Sequence, residues 1–345
     1  MNGPPACRRT PHFACALLAL AVVASHACAQ QTVDKAVELK LSTAVGPAFA
    51  LGGAGERWAK LIVEASAGKL AVKVHSGASL AGRDPAREFA ALAIGDADLA
   101  VGSSLFWSTQ VGELNVIGLP WLVPDAKALE ALIVGAMKER LDAAIERAGA
   151  VPLAYAPLGP RALATTKVPV RTPDDMAGMR VRIASAPLVA DLFFALRASP
   201  RSMTFAEAQT SMRAGTIDAQ EGAPATMASS RIDALGMRHV VLWGAIAEVA
   251  VFAVNGAAWA ALTEPQRTLV SEAAIEAARE LRERDRAEID AALAELGKRG
   301  VAVTRLTATG RATFAFAARS AYDKWAGFAG AELARAAEAA IAGTR

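Results

Sequence analysis

Apolar and polar residues alternate from Val37 to Thr43 and again from Leu70 to His75, which predicts two strands. Between them Gly53 to Ala67 reads as a helix ended by Gly68. Asp84 caps the next helix, with Pro85 at its first position and Gly95 closing it. Leu99-Ala100-Val101 is the strand that follows, Asp125 to Arg147 reads as one long helix, and Val151 to Pro157 as another strand. Strands separated by helices of this length predict a mostly parallel sheet covered on both faces, a first lobe.

Near Gly159-Pro160-Arg161 the chain passes to a second lobe. Thr172-Pro173-Asp174-Asp175 starts a helical turn there. Gly178 to Ile183 alternates as a strand and sets Arg180 and Arg182 on one face. Pro187 to Arg197 follows as a helix, with Leu188, Leu192 and Leu196 spaced by four. Thr204 and Glu207 form a capping box for the next helix, which stops at Gly215, and Ile217 to Glu221 is extended. A strand from Val249 to Asn255 returns to the first lobe.

Thr263 and Gln266 then box the start of a very long helix that need not stop before Gly297, a reach of about 50 Å. Its ends are apolar (Val270 and Leu281; Ile289, Leu293 and Leu296), whereas Arg282 to Arg286 is charged throughout. A helix buried at both ends and polar between them can bridge two lobes across solvent. Thr309 to Ala342 supplies closing helices.

The first residues carry an address. Arg8 and Arg9 form a positive region, Phe13 to Ala24 an apolar one, and Ala27-Cys28-Ala29 fits a cleavage site. Export with cleavage after Ala29 would start the mature chain at Gln30 and place it in the periplasm. All three cysteines (Cys7, Cys15, Cys28) would leave with the segment, as would two of the four histidines, so disulfides and thiol nucleophiles drop out. The formal charge would fall from +3 to about +1 with the loss of Arg8 and Arg9. A chain of this length suggests two domains, and its 53% hydrophobic content reflects alanine rather than a membrane span.

No basic run interleaves with aromatics, so nucleic acid is not an expected partner. The sequence lacks a G-x-S-x-G elbow, an H-E-x-x-H, a P-loop and a G-x-G-x-x-G after a strand. His75 and His239 have no neighbouring acid, and the pairs Asp96/Asp98 and Asp174/Asp175 sit at element ends where acids serve turns and caps. No metal site, cofactor or catalytic residue is expected. Recognition remains.

Three pieces, Met179-Arg180-Val181-Arg182, Met203-Thr204-Phe205-Ala206-Glu207 and Gly215 through Glu221, resemble the solute-binding proteins of TRAP (tripartite ATP-independent periplasmic) transporters. The similarity in layout extends across nearly the whole mature chain. It implies an α/β, two-lobed periplasmic-binding-protein fold with a long lobe-spanning helix. The implied lobes are residues 30–158 with 248–287, and residues 159–247 with 288–345, after a signal peptide over 1–29. It also implies an organic-acid ligand and membrane permease subunits as partners, with the protein itself a monomer.

Carried over residue by residue, Arg182 is the arginine that clamps the ligand carboxylate, since a planar guanidinium can take both oxygens. Arg161 matches a secondary basic position, an anion contact or a latch on closure, and Phe205 a ligand-wall position. Trp107 and Trp121 lie on first-lobe loops where aromatics could line the cleft; Trp243 is a weaker candidate of the same kind. The chain departs from the family where asparagine often follows Gln-Glu (Gly222), in the first strand's loop (Ala44), after the third strand (Ser103, for an acid) and at Trp243-Gly244, for histidine. Fewer polar partners argue for a mono-anionic acid with an apolar body, against a sugar acid or a simple dicarboxylate. A sensor subunit that signals to a receptor, or an enzyme acting on a small acid, are the alternatives.

Overall fold

The alternation of Val37–Thr43 becomes strand β1, exposed at Val37 and Glu38 and buried on both faces from Leu41 to Thr43 in the computed structural model. The structure describes Met1 and residues 36–159 and 161–344; side chains at Phe205, Asp285 and Arg286 are outside that description. The export segment and its cleavage after Ala29 also lie outside the described residues. The two sheets described below belong to one compact unit, Ala36–Arg345.

After β1 come α1 (Ala50–Ala65), β2 (Leu70–His75), α2 (Glu88–Ala93), β3 (Leu99–Ser103) and α3 (Ser104–Trp107). The helix expected from Asp125 to Arg147 is two helices, α4 (Ala126–Ala131) and α5 (Gly135–Arg147). The break falls at Gly135, whose φ of 53° is left-handed, while Leu132 and Ile133 stay buried in the turn. β4 (Ala150–Pro157) then leads out of this half.

The second half contains β5 (Ala162–Thr165), β6 (Arg180–Ile183), α6 (Pro187–Ala195), β7 (Ser199–Ser202) and α7 (Phe205–Arg213). It continues through β8 (Ala219–Gly222), α8 (Pro224–Ser229) and β9 (His239–Leu242). β10 (Val249–Asn255), α9 (Gly256–Ala261), α10 (Glu264–Lys298) and β11 (Ala302–Arg305) follow, and α11 (Ala308–Ala317), α12 (Arg319–Ala329) and α13 (Ala331–Ala342) end the chain.

One five-stranded sheet has the order β2-β1-β3-β10-β4, with β1 parallel to β2 and β3, and β10 antiparallel to β3 and β4. Every residue of β10 is buried, as expected for a central strand covered on both faces. The six-stranded sheet has the order β11-β9-β5-β8-β6-β7. Strand β7 has no counterpart in the hydrophobic pattern, because Ser199-Pro200-Arg201-Ser202 pairs only with β6 at the sheet edge, where proline is tolerated.

The 35 residues of α10 pack on α1 and β4 near one end and on α8 and β11 near the other. Val270, Ala274, Ala277 and Leu281 are buried in the first core, Ala292 and Leu296 in the second, and Arg282 to Arg284 between them are exposed. The charged middle pairs locally, Arg279 with Glu276 and Glu283, and Arg57 of α1 grips Glu280 through Nε and Nη2. The predicted α/β, two-sheet fold with a bridging helix is the observed one.

Candidate functional site

Besides α10, two short passages connect the sheets: one from β4 to β5 that ends at Arg161, and residues 243–248 from β9 to β10. They are stitched together where Leu158 N donates to Glu248 O at 3.0 Å. Arg161 ends the first passage and Glu248 the second. The register of β5 against β8 pairs Leu163 with Glu221, so Arg161, two residues earlier, projects on the same face as Glu221.

The three side chains are buried and joined. Arg161 donates from Nε and Nη2 to the two oxygens of Glu221 (2.5 and 2.7 Å) and from Nη1 to Glu248 Oε2 (2.5 Å). Ser103 Oγ, at the end of β3, donates to Glu248 Oε1 and accepts from the Leu105 amide at 3.1 Å. The chain Ser103–Glu248–Arg161–Glu221 therefore runs from one sheet to the other. Burial works to lower the Arg161 pKa, but Glu221 and then Glu248 outweigh it and hold the guanidinium above its ordinary value.

Arg182 has a different environment. Arg180 and Arg182 share a face of β6, as the alternation predicts, with Val181 and Ile183 buried opposite. Arg180 spends its charge on Asp218, with bonds of 2.8 and 2.7 Å. Arg182 donates only to a carbonyl, Met203 O, from Nε (3.3 Å) and Nη2 (3.0 Å), and has no carboxylate partner among the described residues. Burial first, and the charge of Arg161 second, push its pKa down to about 10, with Glu221 partly offsetting. A cation held in this way is stabilised by an incoming anion. Its cross-strand partner Gln220 is buried with Oε1 unpaired among the described residues, a second polar group without a partner.

The other predicted residues separate. Gly222 ends β8 beside Glu221, and a Cβ built there meets no heavy atom within 4 Å, so the missing asparagine leaves space. Trp107 does not line a cleft. It is fully buried, with its indole over Gly102, where a Cβ would lie 2.0 Å from Cε2, and against Phe89 at 5.2 Å. Its Nε1 faces Glu88 at 3.4 Å.

Trp121 is half-buried in an aromatic group with Trp243 (5.7 Å) and Phe314 (5.8 Å), and its Nε1 donates to Trp243 O. It borders a groove of about 350 Å³ shared with Arg319, Tyr322 and Glu338 on α12 and α13. Trp243 is fully buried. Phe205 begins α7 directly after the Thr204 cap, and its side chain is outside the described residues.

Two acids escaped sequence reasoning. Glu248 had a signal, a lone charge immediately before the wholly apolar run Val249 to Val254. Glu88 is fully buried with Ser42 Oγ at 2.9 Å and no cation partner among the described residues, and burial pushes its carboxyl up to about 7. Nothing distinguished it from an ordinary first-turn helix acid.

The family model described as bacterial extracellular solute-binding protein, family 7, matches residues 41–327. The chain belongs to that family. A TRAP periplasmic solute-binding protein from Ralstonia eutropha H16, solved with bound (S)-2-hydroxy-2-methyl-3-oxobutanoate, is similar at 38% identity and a TM-score of 0.85. That match covers 88% of this chain and 98% of the other. The C4-dicarboxylate-binding periplasmic protein of Rhodobacter capsulatus is 26% identical over 308 residues, 89% of this chain and 91% of its own. A Sinorhizobium fredii protein is 33% identical over 180 residues, 52% of this chain, and the chain spans only 33% of that relative's length. This family 7 member is thus a TRAP-type solute-binding protein in which Arg161 at the crossover is paired with two carboxylates and Arg182 on β6 is bonded to a carbonyl.

Proposed function

We propose that the protein captures a small mono-anionic organic acid between its two lobes and delivers it to the membrane permease subunits of a TRAP transporter. The carrying observation is Arg182, a half-buried guanidinium facing Arg161 and bonded only to the Met203 carbonyl. A carboxylate there would form charge-assisted, bidentate bonds and relieve the repulsion from Arg161. Gly222 and Ala44 offer no polar side chains, which favours a ligand body with few hydroxyls. The 2-hydroxy-2-methyl-3-oxobutanoate of the Ralstonia protein has this character, a short branched acid with one charge.

We take the lobes as residues 30–158 with 248–287 and residues 159–247 with 288–345, hinged at the two passages around Leu158 and Glu248. Their closure would bring Arg161 and Arg182 over the ligand. The ligand would be released unchanged, and the protein would act as an exported, periplasmic monomer.

Calorimetry with (S)-2-acetolactate, its amide and matched sugar acids tests this reading. Tight binding of the acid with loss of affinity for the amide is expected. Equal affinity for acid and amide would place recognition elsewhere, and conversion of the ligand during incubation would make the protein an enzyme.

A further inference from the structure

We infer that Glu248 is a specificity-determining residue: held against Arg161, its fixed negative charge makes the site accept one carboxylate and reject a second. The inference rests on the carboxylate reading above and names the residue that would enforce single charge.

The geometry starts from the two edges of the Arg161 guanidinium. Glu221 occupies the Nε/Nη2 edge with two bonds and Glu248 occupies Nη1. An arginine in this position with a free edge could receive a carboxylate. Here one positive charge already faces two negative ones. With Arg182 included, the buried set is neutral before any ligand arrives, because Arg161 and Arg182 balance Glu221 and Glu248. A first carboxylate on Arg182 leaves the set with one net negative charge. A second would meet no uncompensated buried cation among the described residues and would approach two fixed carboxylates.

Glu248 cannot easily withdraw to make room. Its Oε1 accepts from Ser103, which is itself fixed as the cap of α3, and its backbone carbonyl accepts from Leu158. Glu221 alone would still orient Arg161, through two bonds. Glu248 is therefore dispensable for placing the arginine, and its distinctive contribution is charge. Arg201 is opposite Arg182 on the edge strand β7, but it is exposed. Solvent around Arg201 screens it too well to neutralise a buried second carboxylate.

The test uses two near-isosteric ligands. (S)-2-Acetolactate and 2-hydroxy-2-methylpropanedioate differ by replacement of the acetyl methyl with a carboxylate oxygen, so shape is kept and one charge is added. Binding of each is measured by calorimetry to the full chain and to Glu248→Gln, which keeps a hydrogen-bonding side chain of the same length. The wild type should favour the monoanion by about 100-fold or more, the scale of one unscreened like-charge contact at an effective dielectric near 20. Glu248→Gln should narrow that ratio by about tenfold or more, and Glu248→Asp should restore it.

Glu248→Ala serves as a second neutral variant if the Gln protein melts below the assay temperature. Ser103→Ala, which keeps the charge, should leave the ratio within about twofold of wild type. A folded Glu248→Gln or Glu248→Ala protein with an unchanged ratio overturns the role of Glu248 while leaving the monocarboxylate reading intact. A wild type that takes the dianion as tightly as the monoanion overturns both.

Discussion

Arg161 and Arg182 are close enough for one to depress the pKa of the other, yet they have opposite surroundings. Arg161 is buried with carboxylates on both edges, supplied by its own chain. Arg182 bonds only to a carbonyl among the described residues, and the like charge of Arg161 acts on it more strongly than the opposite charge of Glu221. The difference teaches how a fold can hold two nearby guanidinium groups and pair only one of them with its own carboxylates. One arginine's charge is used up in joining the two sheets, and the other's remains available to an anion.

Removing Arg161 should break the comparison most severely. Arg161→Ala strands Glu221 and Glu248 as buried, uncompensated charges, and loss of one partner from such a network costs about 3–5 kcal/mol. Urea unfolding should register that loss without any ligand present. A variant with wild-type stability would mean that water, rather than Arg161, compensates the two acids.

Arg182→Ala is expected to do the reverse. Without ligand its stability should stay within about 0.5 kcal/mol of wild type or rise, because a poorly compensated charge has gone. Binding of the carboxylate should weaken by about 2–5 kcal/mol, roughly 30-fold to several thousand-fold. Arg182→Lys should recover only part, since an ammonium lacks the planar fork. Calorimetry decides it, and normal affinity in the Ala variant would remove the clamp from Arg182.

Glu88 extends the comparison to the other sheet, as a buried carboxyl with no cation. Its pKa in the folded protein is about 7, well above the ordinary 4.5. The folded state therefore holds more protons than the unfolded state between these values, and stability falls as pH rises through that window. The contribution is on the order of 3 to 4 kcal/mol, at about 1.4 kcal/mol per pKa unit. Glu88→Gln should flatten the slope of unfolding free energy between pH 5 and pH 8. An unaltered slope would show that the carboxyl is solvated or neutralised in solution.

The smallest expected effect concerns the carbonyl that holds Arg182. Met203 is followed by the reciprocal Thr204–Glu207 box that starts α7, with Thr204 N donating to Glu207 Oε2 at 2.8 Å. Thr204→Ala should cost about 1 kcal/mol of stability, and affinity should fall only a fewfold as the carbonyl anchor loosens. Loss of binding comparable to Arg182→Ala would instead make the cap part of the ligand site.

Local rules made most of the fold legible. Period-two alternation located β1, β2 and β6, the apolar run from Val249 located β10, and the boxes at Thr204 and Thr263 located the starts of α7 and α10 to the residue. The same rules missed β7, whose strand character comes from pairing with β6, and the break before α5, which depends on a left-handed Gly135. A loop position made Trp107 a candidate for the cleft wall, but the absence of a side chain at Gly102 lets that ring lie down on β3 and disappear into the core.

What the sequence by itself determined was the family resemblance, the two-sheet α/β order and the arginine pair on one face of β6, since each depends on neighbours within a few residues. The resemblance named Arg182 as the clamp, but that Arg161 is paired with two carboxylates while Arg182 has none among the described residues was decided only by the tertiary structure. Glu221 reaches Arg161 across 60 residues and Glu248 across 87, and Ser103 reaches Glu248 across 145. Charge is a sum over whatever the fold brings within a few ångströms, and chain order does not record that sum.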